Sequence, residues 1–471
     1  MQQKTIAAID LGTSKFSVAV AVISGNDVEI VYYREHPAAG IRNSFVFNPK
    51  QASEKLKAAI SEAEDALHIK IRQAVVGLPR YSVRQKTASG TLPRETQADE
   101  YITREEIETL KDLALDSYPL EDEKREVIYG AVAQSFSTEE EIQLVEEDVI
   151  GTISSSVTGI FKIFIGDRSR TSAIDKVFND LSIAIARKYF LPDTTSSIVL
   201  SQEEKVNGVA LIEMGAGVTS VSIWHGGIMR YYAAIPFGGN TITGDIRIEC
   251  GISEVLAENI KLAYGSCLPT RLASLSDKVL QIRYEDRPIK EIPVKYLAEI
   301  ISARTKEILD AIFYEIQKSG MQDILRSGIV LTGGGAKLIG LGTLVKDMSC
   351  YNVRLGYARH LFSASGCNGV YGTGATGAIG MILAAKNDDL QDCVDPLEIP
   401  VRKPVVEEEP MEEPVGNGSL FGEGEIEVVE PVGAPEEPKR PKKPKKPSII
   451  WKTVTDKLGN LYDFLSKEDN P

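Results

Sequence analysis

Two short stretches of this chain join a buried strand, a carboxylate and a tight turn of small residues. In Ala8-Ile9-Asp10-Leu11-Gly12-Thr13-Ser14-Lys15-Phe16 an apolar run ends in a corner, and the run Phe16 to Val22 returns from it, which is the pattern of a β-hairpin. Backbone N–H groups at such a corner can face the oxygens of an anion. Gly12 lets the backbone approach closely, Thr13 and Ser14 add hydroxyl donors, Lys15 adds positive charge, and Asp10 can hold a magnesium ion through water. Taken alone, the segment reads equally well as an ordinary hairpin with a glycine corner.

The second stretch, Ala210-Leu211-Ile212-Glu213-Met214-Gly215-Ala216-Gly217-Val218-Thr219, again ends a strand in an acidic residue and a glycine-containing turn before the chain returns toward Trp224. Two such hairpins facing each other would clamp a phosphate chain from both sides. A third element, Ile329-Val330-Leu331-Thr332-Gly333-Gly334-Gly335-Ala336-Lys337, ends a strand in three glycines; bare backbone of that kind suits a flat base or a ribose. The ordered set of three is far more specific than any one of them.

That set resembles the superfamily of actin, the sugar kinases and the heat-shock-type chaperones. Within it, the lysine of Asp10-Leu11-Gly12-Thr13-Ser14-Lys15, the stretch from Ile235 to Ile246 and the stretch from Gly328 to Leu341 resemble the FtsA family of bacterial cell-division proteins. The likeness covers roughly 5–386 and the extreme C-terminus. It implies ATP and magnesium as ligands: Asp10, Gly12, Thr13, Ser14 and Lys15 toward the phosphates, Gly215, Ala216, Gly217 and Val218 opposite them, and Gly333, Gly334 and Gly335 against the adenosine. It also implies that Glu258 and Lys261 approach adenine and ribose, although charges three apart on a helix equally describe a solvated face. The implied partners are the C-terminal peptide of the tubulin-like protein FtsZ, on residues of about 245–324, other division proteins, and further copies of the chain in actin-like filaments. The implied location is the cytoplasmic side of the bacterial membrane at the division site, with a peripheral role in assembling the divisome at the septum.

The second hairpin departs from the superfamily pattern of aspartate, threonine and a further aspartate, having Glu213, Val218 and Ser220 instead. Val218 lacks a hydroxyl and Ser220 a carboxylate that would organise water or metal. The expectation is tight or passive ATP binding with weak or absent hydrolysis, and no catalytic residue is assigned.

The elements that must hold these turns follow from the patterning. Up to about Lys386 short β-branched runs alternate with amphipathic stretches, the mark of an α/β protein. The resemblance implies that these elements form an actin-like two-lobed ATPase-domain fold with an insert subdomain in the first lobe. Its first lobe is 1–77 and 159–198, its insert 78–158, its second lobe 199–244 and 325–395, and a helical insert occupies 245–324. Thr103 and Glu106 have capping-box spacing, and a helix from about Lys295 to Lys318 aligns Ile301, Ile308, Ile312 and Ile316.

Residues 396–447 are rich in proline and glutamate and read as a disordered linker. From 448 to 466 the spacing predicts an amphipathic helix with Ile450, Trp451, Val454, Leu458, Leu461, Tyr462 and Leu465 on one face. Such a helix suits the bilayer interface. It is preceded by Lys439, Arg440, Lys442, Lys443, Lys445 and Lys446, each worth about 1 kcal/mol near anionic membrane lipids. Docking on the protein's own body or on a partner is the competing reading; a long tether favours reach.

Composition narrows the rest. A net charge of -14 argues against nucleic acid as a partner. Five scattered cysteines and four separated histidines form no metal-ligand or disulfide pattern. A sugar kinase or phosphatase of this fold would need a catalytic carboxylate in the cleft, a chaperone a β-domain after the lobes, and a pilus-assembly adaptor would lack the tether and terminal helix.

Overall fold

The computed structural model describes residues 3–94, 99–271, 278–283, 288–359, 361–388, 390–396 and 425–429. The chain opens with the apolar strands β1 (Gln3–Leu11), β2 (Lys15–Ser24) and β3 (Asp27–Pro37), then the small hairpin β4 (Ile41–Arg42) and β5 (Phe45–Val46). Helix α1 (Pro49–Leu67) starts where Asn48 accepts from the Gln51 N–H and proline takes the first turn. β6 (Ile69–Ile71) and β7 (Gln73–Gly77) follow.

The insert holds β8 (Arg84–Pro93), α2 (Arg104–Asp116), β9 (Glu126–Ser137), the one-turn α3 (Glu146–Val149) and β10 (Ser156–Asp167). The expected capping box at Thr103 and Glu106 starts α2. A separate core around Phe136 and Phe161 lies between α2 and the sheet β8-β10-β9. The central strand of that sheet, β10, runs on to Asp167, past the boundary expected at 158.

The chain then builds α4 (Arg168–Asp180), β11 (Ala184–Tyr189), α5 (Leu191–Val199) and α6 (Gln202–Asn207) before entering the second lobe. That lobe begins with β12 (Val209–Met214), β13 (Thr219–His225), β14 (Ile228–Ile235), α7 (Gly239–Cys250) and α8 (Glu254–Tyr264). Next come the hairpin β15 (Val279–Arg283) and β16 (Lys290–Pro293), the long helix α9 (Val294–Lys318), β17 (Ile329–Thr332), α10 (Leu341–Ser349) and β18 (Val353–Leu355). The final elements are β19 (Ser363–Ala364), α11 (Thr376–Asn387), β20 (Val394–Pro396) and β21 (Glu425–Val429).

The two main sheets repeat one plan. In β11-β7-β1-β2-β3-β19 and in β14-β13-β12-β17-β18 a strand followed by a glycine corner pairs antiparallel with the next strand on one side and parallel with a later strand on the other. This is the internal repeat legible in the sequence, and it sets the two corners at corresponding places in two lobes. The buried face of α9, with Ile301, Ile308, Ile312 and Ile316, packs into the second-lobe core as its spacing requires.

Strand pairing late in the chain departs from the expected limits. The described residues of 363–396 return to the first lobe: β19 pairs with β3, β20 with β6, and α11 is buried against α5 and β1. Small residues permit this, since a β-carbon on Gly380 would stand 2.7 Å from the Thr194 carbonyl oxygen. The helical insert carries a β-hairpin beside its helices. Within the stretch expected to be a disordered linker, 425–429 form β21, paired antiparallel with β15. The rest of that linker and the helix expected at 448–466, with Ile450 to Leu465 and Lys442 to Lys446, lie outside the described residues. Among the described residues no helix is long and apolar enough to cross a membrane.

Candidate functional site

The pairing of β1 with β2 closes at Leu11 and Phe16, and that of β12 with β13 at Met214 and Thr219, leaving a corner in each lobe. Both corners need glycine. A β-carbon on Gly12 would lie 2.6 Å from the Lys15 carbonyl oxygen, and one on Gly215 would lie 2.9 Å from that of Val218. The corners face one another: a β-carbon on Gly217 would meet the Thr13 methyl and hydroxyl at 2.8 Å. Thr13 is fixed in turn by the Ser44 N–H, which donates to its hydroxyl at 3.1 Å from the left-handed turn between β4 and β5. The start of α7 backs the second corner, with the N–H groups of Gly239 and Asn240 donating to the Gly215 and Ala216 carbonyls at 3.0 and 2.8 Å.

The charges at the corners are already engaged. Lys15 pairs with Glu35 at 2.5 Å, and the Tyr33 hydroxyl donates to the same carboxylate at 2.7 Å. Burial alone would raise the Glu35 carboxyl, but Lys15 and Tyr33 hold it below its ordinary range. Arg80, in the turn after β7, sits 2.9 Å from Glu213 and 3.7 Å from Asp10, with all three side chains no more than 14% exposed. Burial pushes the Glu213 carboxyl up, Arg80 opposes this, and Asp10 adds to it. The Arg80 Nε is buried and has no acceptor among the described residues.

The third glycine turn closes the other end. Gly333 has φ 86°, and a β-carbon there would strike the Met214 carbonyl oxygen at 2.5 Å, so this turn is bound to the base of the second hairpin. Thr373 locks it by accepting the Gly333 N–H at 3.1 Å and donating its hydroxyl to the Gly333 carbonyl at 2.8 Å. Lys261 is not on a solvated face: its side chain is 10% exposed, pairs with Glu258 at 2.7 Å and donates to the Gly239 carbonyl and the Thr243 hydroxyl.

Together these elements line one cleft of about 480 Å³ between the lobes. Every residue expected from the sequence to meet nucleotide, from Asp10 and the Gly12–Lys15 corner through Gly215–Val218, Glu258 and Lys261 to Gly333–Gly335, lies along its wall. The volume is in the range of ligand pockets. Its lining combines N–H corners and charged side chains with the exposed apolar side chains of Leu262 and Ile339. That combination fits a molecule with a polyanionic part and a flat apolar part. For magnesium, Asp10 and Glu213 are the oxygen donors at the corners, and no cluster of three or more ligating side chains exists among the described residues. This suits a hydrated ion held with phosphate oxygens at Asp10, with Arg80 competing for the same carboxylate.

Sequence reading missed Glu35, Ser44, Arg80, Lys337, Gly374, Thr376 and Gly377, which also line the cleft. The glycines belong to the returning segment: β-carbons on Gly374 and Gly377 would stand 2.6 Å from the Lys15 ammonium and the Asp10 carboxylate. Their small-residue run, Gly372-Thr373-Gly374-Ala375-Thr376-Gly377, was the signal available in the sequence. Ser220, whose substitution bears on hydrolysis, is 3% exposed and does not line the cleft.

The family model described as cell division protein FtsA matches residues 210–373. Cell division protein FtsA of Neisseria meningitidis serogroup B is 30% identical over 363 residues, covering 75% of this chain and 84% of that protein. The chain belongs to the FtsA family. Cell division protein FtsA of Pseudomonas aeruginosa is 26% identical over 377 residues, covering 79% of this chain and 88% of its own length. Among solved structures, a chain of the PilM-PilN type IV pilus biogenesis complex aligns with TM-score 0.57 at 16% identity, over 81% of this chain and 99% of that one. At that identity the likeness establishes the actin-like fold alone. The FtsA family places the protein in cell division, and in this member the corners, the glycine triplet and the α7–α8 edge converge on one cleft.

Proposed function

We propose that this FtsA-family protein binds ATP with magnesium in the cleft between its lobes, assembles into actin-like filaments and anchors FtsZ polymers to the cytoplasmic face of the bacterial membrane at the division site. The observation that carries the nucleotide reading is the closure of two glycine corners from opposite lobes on one cleft, with Gly217 against Thr13. In this reading the N–H groups of Gly12, Thr13 and Ser14 and of Ala216 and Gly217 face the phosphates. Lys15 and Arg80 supply positive charge, and Gly333, Gly334 and Gly335 lie against the adenosine, with Leu262 and Ile339 covered by the base. Glu258 and Lys261, already hydrogen-bonded to the start of α7, orient toward the ribose. A magnesium ion, when bound, neutralises phosphate oxygens, and Asp10 would hold it through water.

The FtsZ C-terminal peptide is assigned to the helical insert, about 245–324, and the membrane contact to the amphipathic helix of 448–466 with its basic leader. One such helix binds weakly and reversibly; filament formation multiplies anchors and so strengthens attachment. The test is recruitment of labelled FtsZ polymers to anionic vesicles with ATP, comparing the full chain with a truncation after Pro447. Recruitment that needs the tail supports anchor and partner together. Vesicle binding without FtsZ favours another actin-like adaptor, such as one for pilus assembly, and no vesicle binding overturns the membrane reading.

A further inference from the structure

β15 is the middle strand of a three-stranded sheet on the helical insert, and only one of its neighbours is local. β16 comes from its own hairpin, whereas β21 comes from 425–429, far along the chain in the acidic stretch before the C-terminus. Without β21 the strand would present a row of unpaired N–H and C=O groups, a template for another strand.

The register matches chemistry as well as backbone. Ile426 and Val428 stand opposite Ile282 and Leu280, which are buried in the second-lobe core, while Glu425 stands opposite Arg283 and Glu427 opposite Gln281. Alternate residues of a strand share a face, so the run Glu-Ile-Glu-Val is in phase with the apolar and polar faces of β15. A slip of one residue would put the apolar positions of one strand opposite the polar positions of the other. The sequence brackets the segment too. Between Pro414 and Pro431 there is no proline, so no position in that interval lacks a ladder donor.

We propose that Glu425–Val429 is a built-in ligand of the helical insert, docked on the β15 edge by strand addition in the same chain, and that it fixes where the C-terminal segment leaves the body. β20 ends at Pro396 beside β6 on the first lobe. Starting there, residues 397–447 span at most about 180 Å; with β21 docked, only 430–447 separate the insert from the terminal helix, at most about 60 Å. The clasp thus moves the origin of the tether from the first lobe to the helical insert and cuts its reach about threefold. This consequence for the anchor rests on the membrane reading above; the docking itself does not.

Directly opposed residues of an antiparallel pair lie within the separation a disulfide spans. In the full chain, free of lipid, with the exposed Cys350 and the half-buried Cys367 replaced by serine, Gln281→Cys with Glu427→Cys is expected to form an intramolecular disulfide. It should do so at least about tenfold faster than Gln281→Cys with Glu437→Cys. Adding Ile426→Pro and Val429→Pro should abolish the difference, because N–H groups alternate in direction and one of these two positions must face β15. Equal rates for the two pairs, or rates indifferent to the prolines, overturn the docking. A disulfide joining two chains overturns the same-chain arrangement in favour of strand exchange between copies. A docked strand in a protein that does not bind vesicles would leave this inference standing while removing the membrane reading.

Discussion

The Arg80 guanidinium lies 2.9 Å from the Glu213 carboxylate and 3.7 Å from that of Asp10. Asp10 and Glu213 hold equivalent places, each two residues before the first glycine of its corner, so one cation from the first lobe ties together the acidic residues of both. Two carboxylates turned into one nearly dry space repel strongly, and Arg80 offsets that repulsion. It is therefore a latch between the lobes as well as a cation at the cleft.

Removing the latch leaves two buried charges unpaired. Arg80→Gln is expected to lower stability by about 3 kcal/mol, read as a shift of the denaturant midpoint. Adding Glu213→Gln should recover part of that loss, because the two residues are coupled. Strict additivity would show that the contact contributes nothing.

Gly217 and Thr13 close the clamp, so Gly217→Val should force the corners apart and weaken ATP binding about tenfold or more, equivalent to about 1.4 kcal/mol, with helical content unchanged. Gly244, in α7, has open space where a β-carbon would go. Gly244→Ala should leave ATP affinity as it is and raise stability by about 0.5–1 kcal/mol. Calorimetric titration of both variants separates a steric effect in the cleft from a general effect of replacing glycine.

ATP turnover should stay well below about one per second, an ordinary enzyme rate being about 10 per second. Glu213 is held by Arg80, and Ser220 is buried away from the cleft, so among the described residues the second hairpin offers no unengaged carboxylate to activate water. Val218→Thr should strengthen nucleotide binding without raising steady-state phosphate release. A rise in turnover to an ordinary enzyme rate would overturn passive binding.

Glu35, Glu106 and Glu204 are each held below the ordinary value of 4.5: burial opposes, but Lys15 with Tyr33, Arg94 with Thr103, and Arg354 with Ser201 prevail. A carboxyl whose folded value is depressed contributes stability that is in place above its unfolded value and is lost as pH falls through the folded one. Stability from these three groups should therefore hold between about pH 7 and about pH 5 and fall below about 4.5. Glu204→Gln, which removes the partner of Arg354 in β18, should flatten that fall in urea unfolding measured across the range.

For the basic leader, Lys442→Ala with Lys443→Ala should weaken binding to anionic vesicles about thirtyfold, from about 1 kcal/mol per residue. Raised salt should have the same effect on the unaltered chain. Co-sedimentation with neutral vesicles, where neither change should matter, is the control.

The local devices were legible in the sequence because their causes are local. A strand ending in Asp-Leu-Gly, another in Glu-Met-Gly, three glycines after Thr332, the Thr103–Glu106 cap and the isoleucine face of α9 each follow from spacing over a few residues, and each forms where that spacing requires. The family resemblance carried by the three glycine turns then implied the two-lobed actin-like fold and the residues along the cleft. Tertiary structure alone decided that Arg80, in the turn after β7, would latch Asp10 to Glu213. It also decided that 363–396 would cross back to the first lobe, and that five residues of an acidic stretch would complete a sheet in the second. Those outcomes depend on partners hundreds of positions apart, joined by backbone pairing and by burial of small residues against distant carbonyls, and no periodicity within a short window carries information about which distant edge or charge a segment will meet.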